Sequence, residues 1–108
     1  MEQALNYIEV DVVQSLKSIE ELKVALLEAQ WLCNQGTLKG SEQQIIKGLA
    51  DLVGVSYLLA KRLGFDFSRL DAALLQRLGE WRSTDRWGLE TAWGDLSLLE
   101  SYLAPEDE

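Results

Sequence analysis

Histidine is absent from the chain, cysteine occurs once (Cys33) and proline once (Pro105). Without histidine there is no His-ligated zinc site and no Ser–His or Cys–His nucleophile pair. A single cysteine forms no disulfide within the chain. With no histidine to activate it and no evident basic neighbour, Cys33 reads as a small packed hydrophobe. One proline and few glycine clusters leave too few turn signals for a sheet sandwich and favour helices. No apolar run approaches the ~20 residues of a membrane span. The start, MEQALNYIEVDVV, lacks the basic head of a signal peptide. The expected location is the cytoplasm. Basic residues are also scarce: 10 against 18 acidic, a net charge of −8. That opposes binding to a bare phosphate backbone. Neither nucleic acid nor a membrane is therefore expected as a partner. A metal–nucleotide complex is not opposed, because carboxylates bind the metal.

The 108 residues, 47% hydrophobic and 26% charged, fit one soluble globular domain. A domain this small buries a modest share of its surface, so self-association is a natural aid to stability. Residues 1–17 read as an arm or short helix, with strand-like alternation at Ile8, Val10 and Val12. Residues 18–104 form the helical domain, and 105–108 (PEDE) an acidic tail. Ser18 with Glu21 fits a capping box. Leu22, Leu26, Ala29 and Cys33 then recur as one helical stripe. That helix is expected over about 19–34, stopping before Gly36, with NQGTLKG as the loop. Leu27, Trp31 and Leu32 lie on its other faces. Ser41 with Gln44 repeats the capping signal and opens a central helix. Its stripe is Ile45, Leu49, Leu52, Leu59 and Leu63, and it closes with Lys61, Arg62 and Gly64. Asp66 or Ser68 caps a third helix through Leu70, Ala73, Leu74 and Leu78. A last helix carries Trp93, Leu96, Leu99 and Leu103, and Asp95 after Gly94 is an alternative cap for a shorter one. Connections of this length join antiparallel helices, which makes a bundle the economical architecture.

Residues three or four apart share a helix face. Glu21, Ala25 and Glu28 therefore share one face, and Gln44, Gly48 and Asp51 share a face of the central helix. If the two faces meet, Glu28 and Asp51 approach each other, and two carboxylates on facing helices suit Mg²⁺. The competing reading makes Asp51 a boundary residue paired to Lys23, Lys47 or a hydroxyl. Gly48 costs its helix roughly 1 kcal/mol relative to alanine, and close approach of another helix is the preferred reason. Lys61, Arg62 and Arg69 are either a phosphate-binding cluster or solvated partners of Asp66 and Asp71. Trp31, Trp81, Trp87 and Trp93 either stack on a base or cover an oligomer surface.

The segment SEQQIIKGLADLVGVSYLLAKRLGFDFSRL resembles the MazG-like all-α nucleotide pyrophosphohydrolases. Those carry an E-x-x-D metal motif on the equivalent helix and E-E-x-x-E on an earlier one. VALLEAQWLCNQG takes the earlier place without a gap, so Glu28 matches the last glutamate while Val24 and Ala25 replace the first two. In the second motif Asp51 matches and Gly48 replaces the glutamate. AKRLGFDFSRLD followed by WGDLSLLESYL is similar to a short branch of the family, and the match runs from about Ser18 to Leu103.

The resemblance implies an all-α, four-helix MazG-like bundle, oligomeric as a homodimer or a dimer of dimers. It implies Mg²⁺ as the cofactor and a nucleoside triphosphate as the substrate. Glu28 and Asp51 would hold the metal, helped by Glu21 or Glu20, with Gln44 able to add a carbonyl. The missing acids set a second expectation against the first: a protein with weakened or lost Mg²⁺-dependent pyrophosphohydrolase activity. Its alternative is a non-catalytic nucleotide-binding or protein-interaction module.

Overall fold

The computed structural model describes residues 2–104, with side chains described for 11–104. The acidic tail at 105–108 and the side chains of Ile8 and Val10 lie outside the described residues. The all-α class expected from the sequence is the one adopted. Among the described residues there are five α-helices, one 3-10 turn and no strand. No helix among them is long and apolar enough to cross a membrane. The chain divides into two compact units, Met1–Phe65 and Asp66–Glu108.

The first unit is a helical hairpin. Helix α1 runs through Glu2–Lys39, about 57 Å at 1.5 Å per residue. It is longer at both ends than the capping signals imply. No glycine or proline interrupts residues 1–35. Ser18 does not open a helix: its hydroxyl donates to the Gln14 carbonyl one turn back (2.9 Å), an in-helix bond. Gly36 does not end one either. The helix stops at Gly40, in the left-handed region (φ 68°), where the Ser41 amide donates to the Gly36 carbonyl at 2.9 Å. Helix α2, Glu42–Arg62, opens as expected, with the Ser41 hydroxyl accepting from the Gln44 amide. It closes with the same device as α1: Gly64 is left-handed and the Phe65 amide reaches the Ala60 carbonyl at 2.9 Å.

The seam between α1 and α2 is made of small residues. A Cβ on Gly48 would lie 2.7 Å from the Cys33 amide nitrogen and 3.1 Å from the Ala29 carbonyl oxygen. A Cβ on Gly36 would lie 2.8 Å from the Ile45 nitrogen. The two backbones therefore touch, and Ala29, Gly36 and Gly48 are buried. The helix penalty of glycine is offset by this approach. Larger side chains lie outside the seam and stay open to solvent: Leu27, Trp31 and Ile46 are all exposed.

The second unit is built from α3 (Phe67–Ser83), a 3-10 turn (Arg86–Gly88), α4 (Leu89–Trp93) and α5 (Asp95–Leu103). Asp66 occupies the N-cap position of α3 without a side-chain cap bond. Gly94 is left-handed, so the expected last helix is split there and Asp95 is the first residue of α5 rather than its cap. Leu78 of α3 is fully buried and Leu96 of α5 nearly so. Trp93 and Leu99, expected on the same inner stripe, are instead exposed.

Short polar bonds hold these elements together. Arg82 Nε donates to Glu100 Oε1 at 2.8 Å, and that hydrogen bond raises the Arg82 pKa. Trp81 and Trp87 meet edge to face at 5.2 Å, with the Arg86 guanidinium 4.4 Å from the Trp87 ring. Glu90 accepts from the amide and hydroxyl of Ser97. Asp85 accepts from the Thr91 hydroxyl at 2.6 Å and its amide at 3.0 Å. These bonds to Thr91 hold the Asp85 carboxyl below its ordinary value.

Two predictions follow from these contacts. Gly48→Ala should lower stability by about 1–3 kcal/mol through overpacking. Gly54→Ala, on the same helix with nothing within 4 Å, should raise it by about 0.5–1 kcal/mol. Urea unfolding of both variants reads the contrast. The Asp85 pKa is lower folded than unfolded, so its stabilisation is present above the ordinary carboxylate value of ~3.9. It is lost as pH falls through the depressed folded value. Asp85→Asn should therefore be less stable than the native chain at neutral pH, with the gap narrowing on acidification. Tryptophan fluorescence during unfolding at a series of pH values measures it.

Candidate functional site

The two acids singled out from the sequence come from facing helices of the hairpin. Glu28 lies on α1 and Asp51 on α2, one turn past Gly48. Because Gly48 points into the seam, the residue three positions on emerges at its flank. Glu28 and Asp51 line one open groove of about 360 Å³, with Trp31, Leu32, Lys47 and Val55. Both acids are exposed. Lys47 shares the groove, yet no ion pair is formed between it and either acid.

Glu21 is placed elsewhere. It lines a second groove of about 560 Å³, towards the open end of the hairpin, with Ser18, Leu22, Leu58, Lys61 and Arg62. Ala25 borders both grooves. Glu21 pairs with Lys17 at 3.9 Å, and Glu20 with Lys23 at 2.9 Å. The two glutamates that would replace the missing acids thus line a different groove or pair along their own helix. Gln44 lines neither groove. Its Cβ packs beside Gly36, and its side-chain oxygen is buried without a hydrogen-bond partner. Val24, where an acid would stand, is exposed.

Glu28 and Asp51 are the carboxylates this groove supplies, so a Mg²⁺ ion there would take its remaining ligands from water or a substrate phosphate. Among the described residues no group of three His, Cys, Asp or Glu side chains is placed to hold one. Mg²⁺ demands near-octahedral oxygen geometry, and the groove offers two exposed carboxylates. The third position cannot be recruited locally, because a side chain at Gly48 would collide with the α1 backbone before reaching the groove. Helical spacing and the family resemblance together single out Glu28 and Asp51, the two acids that line this groove. Lys47, already a candidate partner of Asp51 from the sequence, does share the groove. The sequence marks Trp31 only as a base-stacking or interface ring, although it lies three residues past Glu28 and so on the same face.

The chain matches no curated protein and no solved structure. The family pattern of the MazG-like family matches residues 12–96, which takes in both groove acids, the glycine seam and most of the second unit. On that match the chain belongs to the MazG-like family.

Proposed function

We propose that this chain is a MazG-like protein related to nucleoside triphosphate pyrophosphohydrolases in which the Mg²⁺-dependent activity is weakened or lost. It acts instead as an oligomeric helical interaction module, a homodimer or dimer of dimers, in the cytoplasm. The observation that carries this reading is the Gly48 contact. Where the E-x-x-D pattern calls for an acid, this chain packs backbone on backbone. Such a position serves the helix crossing and supplies no ligand. The oligomeric part rests on side chains left open on the hairpin, including Leu16, Leu27, Trp31, Leu49 and Val53. Against them, Ala29 is the one apolar side chain of the hairpin, among the described residues, that is buried. A hairpin with so little interior needs its outer faces covered.

A second reading keeps catalysis, or at least nucleotide binding, at Glu28 and Asp51. What favours it is their common groove and the presence there of Lys47, a cation suited to a phosphate.

Pyrophosphate release from a panel of nucleoside triphosphates, with Mg²⁺ or Mn²⁺, separates the two. The expected result is no metal-dependent release above the protein-free control. Release that depends on the metal and is abolished in Asp51→Asn would establish the second reading. A companion measurement tests the steric argument. Gly48→Glu restores the missing acid in the sequence, yet it should melt earlier than the native chain and bind Mn²⁺ no more tightly by calorimetric titration. Tighter Mn²⁺ binding with the fold intact would show that the position still faces a metal site.

A further inference from the structure

Helix α1 carries two apolar stripes. The inner one, through Leu22, Ala29, Cys33 and Gly36, lies against α2. The outer one is Val13, Leu16, Val24, Leu27 and Trp31, each 51–67% exposed. At ~100° per residue the outer stripe falls on the side of α1 away from α2, with Trp31 reaching round to the rim of the Glu28–Asp51 groove. Nothing in the hairpin covers it. Its spacing of three, four, four, three and four, with Glu20 as the interruption, is that of a helix–helix contact rather than of scattered surface hydrophobes.

The stripe is also complementary to itself when reversed. An isologous interface requires this, because the same patch must serve both sides. Turned about a point near Leu22, Val13 comes opposite Trp31, Leu16 opposite Leu27 within one residue, and Glu20 opposite Val24. The largest side chain thus meets one of the smallest. The charges agree with this register. Lys17 and Glu28 lie on the same edge of the stripe, eleven residues apart. A two-fold axis perpendicular to both helices keeps like edges together while reversing their direction. Lys17 of one copy therefore falls beside Glu28 of the other, twice per dimer. Glu28 has no cationic partner within the described residues, and Lys17 has only the long, exposed contact with Glu21.

We propose that a second copy of this chain packs its α1 antiparallel along this outer stripe, over residues 13–31. Val13 then contacts the partner's Trp31, Leu16 contacts the partner's Leu27, and Lys17 pairs with the partner's Glu28. This deepens the oligomeric reading above and rests on it. It also gives Glu28 a use that needs no metal: it is the acidic half of a reciprocal interface pair.

Sedimentation equilibrium on the full chain tests the proposal, with circular dichroism confirming that each variant keeps its helix content. Leu27→Lys should weaken self-association by at least about a hundredfold, since it buries an unpaired charge against an apolar partner. Lys17→Glu and Glu28→Lys should each weaken it by about tenfold, because each sets like charges opposite one another. Mixed in equal amounts, those two variants should associate as tightly as the native chain. In the mixed dimer both edge pairs are again of opposite sign. A native chain that stays monomeric at about 100 μM would overturn both this proposal and the oligomeric reading. Association that survives Leu27→Lys, or a mixture no tighter than its components, would overturn only the α1 face and its register. The oligomer would then use another surface, and the outer stripe would be left for a different protein.

Discussion

Contact between two helix backbones sets the geometry of the hairpin. Gly36 and Gly48 remove the side chains that would hold α1 and α2 apart, and Ala29 and Cys33 fill what little space is left. Dispersion and carbonyl contacts at such short range are individually small, but they are made along a continuous seam. The approach fixes the rotation of α2 about its own axis. That rotation directs Asp51 to the flank, beside Glu28, and brings Ile45 against Gly36. The larger apolar side chains on the outer faces are left without a partner inside the hairpin. Groove, acid pair and open apolar faces are thus three consequences of one crossing.

The same constraint accounts for the chain's departure from the metal motif. A carboxylate at position 48 and the present helix approach exclude each other, because the first atom of any side chain there already meets the Cys33 backbone. Losing an acid at a solvent-facing position is chemically reversible by a single substitution. Losing it at a backbone contact is not, since the helices must first separate. The acids that remain are then free for other uses, and an exposed glutamate beside an apolar stripe is suited to selecting a partner.

The second unit depends on a different kind of order. Its helices α4 and α5 are short and would not persist alone. They are held by side-chain bonds that cross from one element to the next: Asp85 to Thr91, Glu90 to Ser97 and Arg82 to Glu100. Asp85 and Trp87 both adopt positive φ, a conformation that costs non-glycine residues energy and persists where neighbours fix it. The Thr91 bonds and the Trp81–Arg86–Trp87 stack are those neighbours.

Helix class, the start of α2 at Ser41 and its end near Gly64 were legible from residues alone, because each rests on a local bond between a cap and its own helix. So was the sharing of a face by Gly48 and Asp51, which follows from helical spacing. The same local rules misplaced both ends of α1. A serine followed by a glutamate can cap a helix or sit inside one, and only the Gln14 carbonyl behind Ser18 decided which. Gly36 can stop a helix or admit a neighbour, and only Ile45 across the seam decided that. Glu21 and Glu28 look equivalent in sequence, yet they line different grooves, because two turns along α1 the facing residues of α2 change from Lys47, Asp51 and Val55 to Leu58, Lys61 and Arg62. Residue order sets what each segment is able to form. Which of the alternatives is taken depends on neighbours outside the motif: the preceding turn for Ser18, and the facing residues of α2 for Gly36 and the two glutamates, whose contact energy local spacing does not contain.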